Sequence, residues 1–360
     1  MGIQISNFTK AFGDTVVIDN MNLDIGSGEM IALLGPSGCG KSTTLFAVSG
    51  IHNINQGRIV FAGRDVTKLP PQERNVGVIF QSYALYPHMT VAENISFPLM
   101  VRKESKAEIK RKVDDIAKLV RIDNLLHRKP AELSGGQQQR VSLARAMVRD
   151  PDVLLLDEPL ANLDSALRLE MRSEIRRIQQ ASGITAILVT HDQVEAMSMC
   201  DRIAIMNGGK IVQVDTPYEM YNNPVNDFVA SFLGNPPIAF LTGAITSGCF
   251  VSSEANVCLP LSVGYEDQSF AKIGLRPEHV VLGNPVEPCG DNEVNWAQVC
   301  FIEVQGRENL YDLRLADGSV IRTIQPVRSD LKLGDKVQWS VKDKDLLLFQ
   351  QDGARLYETP

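Results

Sequence analysis

The chain has 360 residues, of which 44% are hydrophobic and 22% are charged, and its net charge is −7. This length favours two domains over one, and the negative charge argues against DNA or RNA as the main partner, because neutralising phosphates requires clustered Lys and Arg. No apolar run approaches the about 20 residues needed to cross a bilayer, and no signal-peptide pattern opens the chain. We therefore expect a cytoplasmic protein.

Strand-like and helix-like segments alternate up to about residue 235. Helical spacing of apolar residues predicts amphipathic helices, for example at 106–121 and 165–181. Between the helices lie short runs rich in Val, Ile and Leu, which are typical of strands buried on both faces of a mostly parallel sheet. These runs are residues 30–34, 76–80, 153–156 and 185–189. The pattern predicts an α/β domain over residues 1–235.

The pattern changes at a Gly-Asn-Pro-Pro sequence, residues 234–237. Short strand-like runs follow at 271–275, 337–341 and 346–349, separated by turn residues. An Ala-Asp-Gly sequence at 316–318 is typical of a hairpin turn. We predict a small all-β domain over residues 236–360, with the architecture of a barrel.

A complete P-loop follows the first apolar run, and a helix-like segment follows the loop, which is the context that the motif requires. Its glycines allow backbone N–H groups to surround an anion at a helix N-terminus. Lys41 is expected to reach the β- and γ-phosphates of a nucleotide, and the Ser42 hydroxyl to bind Mg²⁺. The residues expected to hold the nucleotide here are Gly35, Pro36, Ser37, Gly38, Cys39, Gly40, Lys41, Ser42 and Thr43.

The apolar run 153–156 ends in two acidic residues, Asp157 and Glu158. A carboxylate at the end of such a strand lies at the carboxyl edge of the sheet, beside the P-loop. Asp157 is predicted to hold Mg²⁺ through water, and Glu158 to orient and deprotonate the attacking water. Together the two motifs predict nucleoside triphosphate hydrolysis or phosphoryl transfer, and they leave open what the energy is used for.

A Leu-Ser-Gly-Gly-Gln sequence at 133–137 starts a helix with a capping serine and two glycines. The exposed N-terminus of this helix suits a second anion. At this point the sequence resembles the ABC ATPase family, whose signature motif has this form. The fold implied is a P-loop NTPase domain with a mixed, mostly parallel sheet and a helical subdomain at about residues 82–150. The all-β C-terminal domain is then expected to be an OB-like barrel.

The resemblance assigns further roles to residues that occur in the family's order. Gln81 matches the glutamine that contacts Mg²⁺ and senses the membrane subunits. The sequence Ala-Asn-Leu-Asp at 161–164 resembles the D-loop and contributes Asp164 to nucleotide binding. His191 matches the switch histidine that contacts the γ-phosphate, and Phe12 occupies the place of the aromatic residue that stacks on adenine.

The resemblance also implies an assembly. A head-to-tail homodimer would bind two ATP molecules with Mg²⁺, each between the P-loop of one copy and the signature motif of the other. The signature residues implied are Ser134, Gly135, Gly136 and Gln137. The further partners implied are two integral-membrane permease subunits and, indirectly, an extracytoplasmic solute-binding protein. The expected location is the cytoplasmic face of the inner membrane, as a peripheral protein.

The cassette resembles importer ATPases of carbohydrate and glycerol-phosphate uptake most closely, in residues 80–95 and in the Gly-Leu-Arg-Pro-Glu sequence at 274–278. Polyamine, iron and inorganic-anion importers share this cassette and stay open as alternatives. A non-transport ABC ATPase acting on nucleic acid is disfavoured, because the P-loop and the signature motif lie in one domain-sized stretch without sustained heptads. The sequence does not identify the transported solute.

Overall fold

A computed structural model describes residues 2–261, 264–285 and 295–357. It divides into two compact units, Met1–Met220 and Tyr221–Pro360. The predicted boundary between residues 235 and 236 stays a prediction about functional domains. Two short helices lie near the division of the chain, α7 (Pro217–Asn222) and α8 (Asp227–Phe232).

The first unit mixes strands and helices in alternation, as the apolar periodicity predicts. Its strands are β1 (Ile3–Phe12), β2 (Thr15–Ile25), β3 (Met30–Leu34), β4 (Gln56–Phe61), β5 (Arg64–Asp65), β6 (Val76–Ile79), β7 (Val153–Asp157), β8 (Thr185–Val189), β9 (Arg202–Asn207) and β10 (Lys210–Asp215). Its longer helices are α1 (Lys41–Ser49), α2 (Val91–Val101), α3 (Lys106–Leu119), α4 (Gly135–Met147), α5 (Ser165–Ser182) and α6 (Gln193–Met199).

The central sheet has the strand order β10-β9-β3-β8-β7-β6. Its pairs are parallel except for β9 and β10, which form an antiparallel hairpin at one edge. The strands β3 and β8 are buried along their whole length, which explains their unbroken apolar sequences. The prediction of a mixed, mostly parallel sheet is confirmed.

The observed ends of several elements differ slightly from the predicted ones, for local reasons. β7 includes Asp157, which still pairs with Val189 in the ladder. α3 ends before Arg121, because the backbone of that residue is left-handed with φ 58°. α5 extends to Ser182 and ends at Gly183, which caps it with φ 64°.

A second sheet of the first unit is antiparallel, with the order β2-β1-β4-β5. Its inward side chains, such as Ile5 and Phe8, pack with residues of α1 and of the central sheet in one core. This packing fixes the end of β1, and with it Phe12, relative to the helix that follows the P-loop.

Capped helices fill the stretch between β6 and β7. Thr90 caps α2 and Ser134 caps α4, each in a reciprocal capping box with the residue three positions later. Ser105 caps α3 through its hydroxyl. These helices lie within the predicted helical subdomain at about 82–150.

The second unit is antiparallel β structure, as predicted. Its described strands are β11 (Ala239–Thr246), β12 (Cys249–Ser252), β13 (Val257–Pro260), β14 (Gln268–Leu275), β15 (Val281–Pro285), β16 (Trp296–Val304), β17 (Glu308–Arg314), β18 (Val320–Pro326), β19 (Lys336–Ser340) and β20 (Leu347–Phe349). They form two sheets, β13-β12-β11-β14-β20 and β15-β19-β16-β17-β18, around one apolar core that includes Phe250 and Trp339. The predicted turn at 316–318 joins β17 to β18.

No helix among the described residues combines the length and the apolar content that crossing a bilayer demands.

Candidate functional site

The P-loop, residues 35–42, connects β3 to α1 and is folded tightly against the neighbouring strand. A Cβ atom on Gly35 would lie 2.3 Å from the carbonyl oxygen of Met206, so a side chain has no room there. Gly40 precedes α1 with φ 104°, a left-handed conformation that glycine adopts without strain. No side chain caps α1. Its first N–H groups are thus available to an anion, as the motif predicts.

Lys41 is buried and folds back over the loop that precedes it. Its Nζ atom donates to the carbonyl oxygens of Gly35 at 2.7 Å and of Pro36 at 2.9 Å. Cys39 lies underneath, with its Sγ atom 3.8 Å from Nζ. The ammonium group is therefore held at the phosphate loop by neutral carbonyls, which compete weakly with an anionic phosphate.

Ser42 and Asp157 meet at the carboxyl edge of the central sheet. The Ser42 hydroxyl donates to Asp157 Oδ1 at 3.4 Å, a long hydrogen bond between α1 and the end of β7. Burial raises the pKa of the Asp157 carboxyl, the Ser42 hydroxyl lowers it, and the nearby Glu158 charge raises it further. A hydroxyl and a carboxylate are hard oxygen donors of the type that Mg²⁺ prefers, so these residues fit that ion.

Glu158 pairs with His191 across neighbouring strands of the same sheet edge. The imidazole Nδ1 lies 3.0 Å from Glu158 Oε1, and because a carboxylate only accepts, Nδ1 donates this hydrogen bond. Glu158 also has a left-handed backbone with φ 46°, and its N–H donates to Val189 O at 2.9 Å. Such strain in a non-glycine residue is typical of functional sites. Two of the three predicted catalytic residues, Glu158 and His191, are brought together; the third is Gln81.

Gln81 lies at this edge as well, because Ile79 pairs with Leu156 in the parallel register and Gln81 follows two residues later. Its carbonyl oxygen accepts a hydrogen bond from Asn162 Nδ2 at 2.8 Å, which links it to the loop after β7.

The signature residues lie at the start of α4. The Ser134 hydroxyl accepts from the Gln137 N–H at 3.4 Å, and Gln137 Oε1 accepts from the Ser134 N–H at 3.0 Å. The N–H groups of Gly135 and Gly136 have no partner within the helix, because of their position in its first turn. Among residues 2–261, 264–285 and 295–357, no hydrogen bond or ion pair joins this motif to the P-loop.

Two other predicted residues have local roles that the structure defines. Asp164 caps α5, with its carboxylate accepting from the Leu167 N–H at 2.9 Å. Phe12 ends β1 with 46% of its surface exposed, which is high for a ring of this size and leaves it accessible to a planar base.

Comparison with known proteins extends these observations. The family profile described as ABC transporter matches residues 18–161, and the profile described as TOBE domain matches residues 273–349. The chain is 40% identical to the sn-glycerol-3-phosphate import ATP-binding protein UgpC 3 of Agrobacterium fabrum, over 98% of this chain and 99% of that protein. The chain belongs to the ABC transporter family of ATP-binding proteins. It is an ATP-binding ATPase, as predicted.

Further relatives of this ABC ATPase have similar names. An sn-glycerol-3-phosphate import ATP-binding protein UgpC of Ruegeria sp. is 46% identical, with 99% of each chain covered. The trehalose/maltose import ATP-binding protein MalK of Thermococcus litoralis is 42% identical, with 94% of each covered. Among solved structures, the dimeric post-hydrolysis state of the ATP-binding cassette MJ0796 bound to ADP and Pi matches with a TM-score of 0.52. It is 28% identical over 60% of this chain and 98% of that one.

Sequence reasoning missed the residues of this ABC ATPase that hold the segment after Gln81. Tyr83 and Ala84 are left-handed, with φ 59° and 49°. The Ser142 hydroxyl donates to Tyr83 O at 3.0 Å, and Arg145 donates to the carbonyls of both residues, at 3.0 and 2.8 Å. Ser142 and Arg145 are three residues apart on α4, so the helical period was the signal that placed them on one face.

Proposed function

We propose that this chain is the ATP-hydrolysing subunit of an importer for a carbohydrate or a glycerol-phosphate-type solute. It would act as a head-to-tail homodimer with two integral-membrane permease subunits, and indirectly with an extracytoplasmic solute-binding protein, at the cytoplasmic face of the inner membrane. The observation that carries the proposal is that Ser42 contacts Asp157 and Glu158 contacts His191 at the carboxyl edge of the central sheet. The chain that contains this site is 40–46% identical to named importer subunits.

Nucleotide binding begins with the phosphate loop. The N–H groups of residues 38–42 and the positive end of α1 favour the β- and γ-phosphates. Lys41 exchanges its two carbonyl acceptors for phosphate oxygens, and this exchange gains a charge-assisted hydrogen bond without a large movement of its buried stem. Phe12 stacks on the adenine base, and the exposed ring surface that it covers adds apolar contact.

Ser42, Asp157 and Gln81 would hold Mg²⁺, with Asp157 acting through water. Ser42 and Asp157 are in contact, and Gln81 lies at the same edge of the sheet. When bound, this ion neutralises charge on the β- and γ-phosphate oxygens. The partly buried Asp157 carboxylate supports the assignment, because burial penalises its charge and a neighbouring cation offsets that penalty.

Glu158 is the proposed general base for the attacking water. Its strained backbone and its hydrogen bond to His191 fix the carboxylate, so that one oxygen stays available to accept a proton from water. His191 orients this base. It follows β8, which pairs with β3 directly before the P-loop, and this placement supports its proposed role in sensing the γ-phosphate. Asn162 and Asp164 belong to the loop that follows Glu158 and leads into α5. A second subunit that contacts this loop would therefore affect Gln81 and Glu158 together.

The homodimer is supported by the signature motif. The helix N-terminus formed by Ser134, Gly135, Gly136 and Gln137 makes no hydrogen bond or ion pair with the P-loop within the described part of the chain. The cassette MJ0796, to which this chain is similar, is dimeric with ADP and Pi bound. We infer that the signature motif of a second copy completes each ATP site and that closure excludes water.

Uptake measurements in the source organism test the proposed solute. Deletion of the gene is expected to abolish uptake of radiolabelled sn-glycerol-3-phosphate or of maltose, and wild-type protein is expected to restore it. A Lys41→Ala variant should restore neither, since ATP binding is weakened. Uptake of an amino acid serves as the control and should not change. Unchanged uptake of both solutes after deletion would refute the solute class and leave the ATPase assignment intact.

A further inference from the structure

A small aromatic cluster surrounds Phe12 at the end of β1. The ring of His52 meets the Phe12 ring edge to face, with a centroid distance of 5.4 Å and an interplanar angle of 82°. The same imidazole meets Phe46 at 5.6 Å and 90°. Phe46 belongs to α1, the helix that starts in the phosphate loop. His52 therefore connects the exposed Phe12 ring to the element that binds phosphate.

The loop that carries His52 is fixed at both ends by backbone hydrogen bonds. The His52 N–H donates to Phe46 O at 3.0 Å, which ties the loop to α1. Asn55 ties it to β1, because its side chain accepts from the Ala11 N–H at 2.8 Å and its own N–H donates to Thr9 O at 3.0 Å. The loop that carries the imidazole is thus tied to both α1 and β1, which makes His52 suitable for fixing the orientation of the Phe12 ring.

Lys10 covers part of the Phe12 ring, with its Nζ atom 4.5 Å from the ring centroid. A cation at this distance is attracted to the face of an aromatic ring. Lys10 lies over one face of the ring and His52 makes an edge-to-face contact with it, so both contacts limit the orientations that the ring can present to a stacked base. The ring is about half exposed, so without these contacts it would rotate among several conformers.

We propose that His52 is a positioning residue for nucleotide binding, which holds the Phe12 ring in the orientation that stacks on adenine. This inference rests on the proposed function, because it requires that Phe12 contact the base. A preorganised ring loses less freedom on binding than a mobile one. An edge-to-face aromatic contact has the strength to change affinity by about threefold to tenfold.

The test is a calorimetric titration of the full-length protein with ATP and, separately, with inorganic tripolyphosphate, which has no base. His52→Ala is expected to weaken ATP binding by about threefold to tenfold and to leave tripolyphosphate binding unchanged. His52→Phe, which keeps an aromatic edge, should restore ATP affinity. In steady-state assays KM for ATP should rise with kcat unchanged. His127→Ala, an exposed histidine elsewhere in the unit, is the matched control.

A Phe12→Ala variant separates the two hypotheses. If this variant binds ATP as tightly as the wild type, the stacking role of Phe12 is wrong, and the role of His52 with it. If Phe12→Ala weakens ATP binding and His52→Ala does not, only the positioning role is wrong. An equal loss of affinity for ATP and tripolyphosphate in His52→Ala would also overturn it, because the change would then act on the phosphate loop. His52→Gln provides the same comparison if the alanine variant does not fold.

Discussion

Arg74 is a buried arginine whose replacement we expect to destabilise the first unit strongly. Only 2% of its surface is exposed, and its guanidinium donates to carbonyl oxygens alone. Nη1 donates to Ala47 O at 2.7 Å and to Val48 O at 3.0 Å, which are carbonyls in the last turn of α1. Nε and Nη2 donate to Leu69 O at 2.8 Å and to Thr67 O at 3.0 Å.

The size of the effect follows from these four hydrogen bonds. Each hydrogen bond to a charged group contributes about 1.5–3 kcal/mol. The sum overestimates the effect, because burying the guanidinium costs solvation energy, which is also why burial lowers the Arg74 pKa. Arg74→Met removes the cation and takes this donor from four carbonyl oxygens, two of them in buried hydrogen bonds and two in part-buried ones. Ala47 O keeps the Gly50 N–H at 3.2 Å. We expect a loss of about 3–5 kcal/mol in the free energy of unfolding and a fall of about 6–20 °C in Tm.

Thermal and urea unfolding followed by helical circular dichroism will measure this change, since α1 to α6 lie in the first unit. Arg58→Met is the matched control. Its ion pair with Asp65 is exposed at 62% and 44% of the two side chains. Such a pair contributes about 0–1 kcal/mol, so the control should unfold close to the wild type. A loss of less than about 1 kcal/mol in Arg74→Met would refute the reasoning from the lost guanidinium hydrogen bonds.

Three further changes have defined outcomes. Gly35→Ala places a methyl group 2.3 Å from Met206 O, so we expect a loss of about 2–4 kcal/mol in stability and of ATP binding by calorimetry. Burial raises the Glu195 pKa, so the folded state holds this proton more tightly than the unfolded chain. Raising the pH from about 5 to about 8 should therefore destabilise the wild type relative to Glu195→Gln, which Tm measured across this range will show. Arg276→Met should lower the stability of the second unit by about 3 kcal/mol, because Arg276 donates to the carbonyl oxygens of Leu233 and Tyr221 and its guanidinium lies 3.5 Å from the Tyr221 ring centroid. Unfolding of this unit can be followed by tryptophan fluorescence.

Each of these changes has a control or a contradicting result. Gly63→Ala is the control for Gly35→Ala, because a methyl group on Gly63 would meet nothing within 4 Å. Its φ of 82° adds backbone strain, so any loss in Gly35→Ala beyond that in Gly63→Ala is assigned to the clash with Met206 O. A Tm difference between Glu195→Gln and wild type that is independent of pH would contradict the burial argument. Full stability of Arg276→Met would show that its stacking and carbonyl contacts contribute little.

The chemistry and the main sheet could be predicted from the sequence because their signals are local. β3 and β8 have their predicted limits, since strands buried on both faces have unbroken apolar sequences. The P-loop and the signature motif each combine glycines with a following helix, and the structure contains both helices. The family profile and the relatives confirm the ABC ATPase assignment.

Other features depend on contacts that a sequence pattern does not encode. The strand β1 shifts register near Phe8 and Lys10, so its alternation is broken and its sheet was not predicted. The left-handed backbone of Glu158 arises from the tertiary position of its loop. His52 reaches Phe12 from a loop forty positions later in the chain, and no spacing rule joins the two. The roles of the individual site residues stay predictions.

The central claim is that the residues at the carboxyl edge of the central sheet hydrolyse ATP, with Glu158 as the general base. Its most direct test is single-turnover hydrolysis by a Glu158→Gln variant, together with calorimetric ATP binding. We predict ATP affinity close to that of the wild type and hydrolysis slower by roughly 10²–10⁴-fold, because the water loses its proton acceptor. Glu170→Gln, in which a side chain exposed at 62% is changed in the same way, should hydrolyse ATP normally. Wild-type turnover in Glu158→Gln would contradict the account.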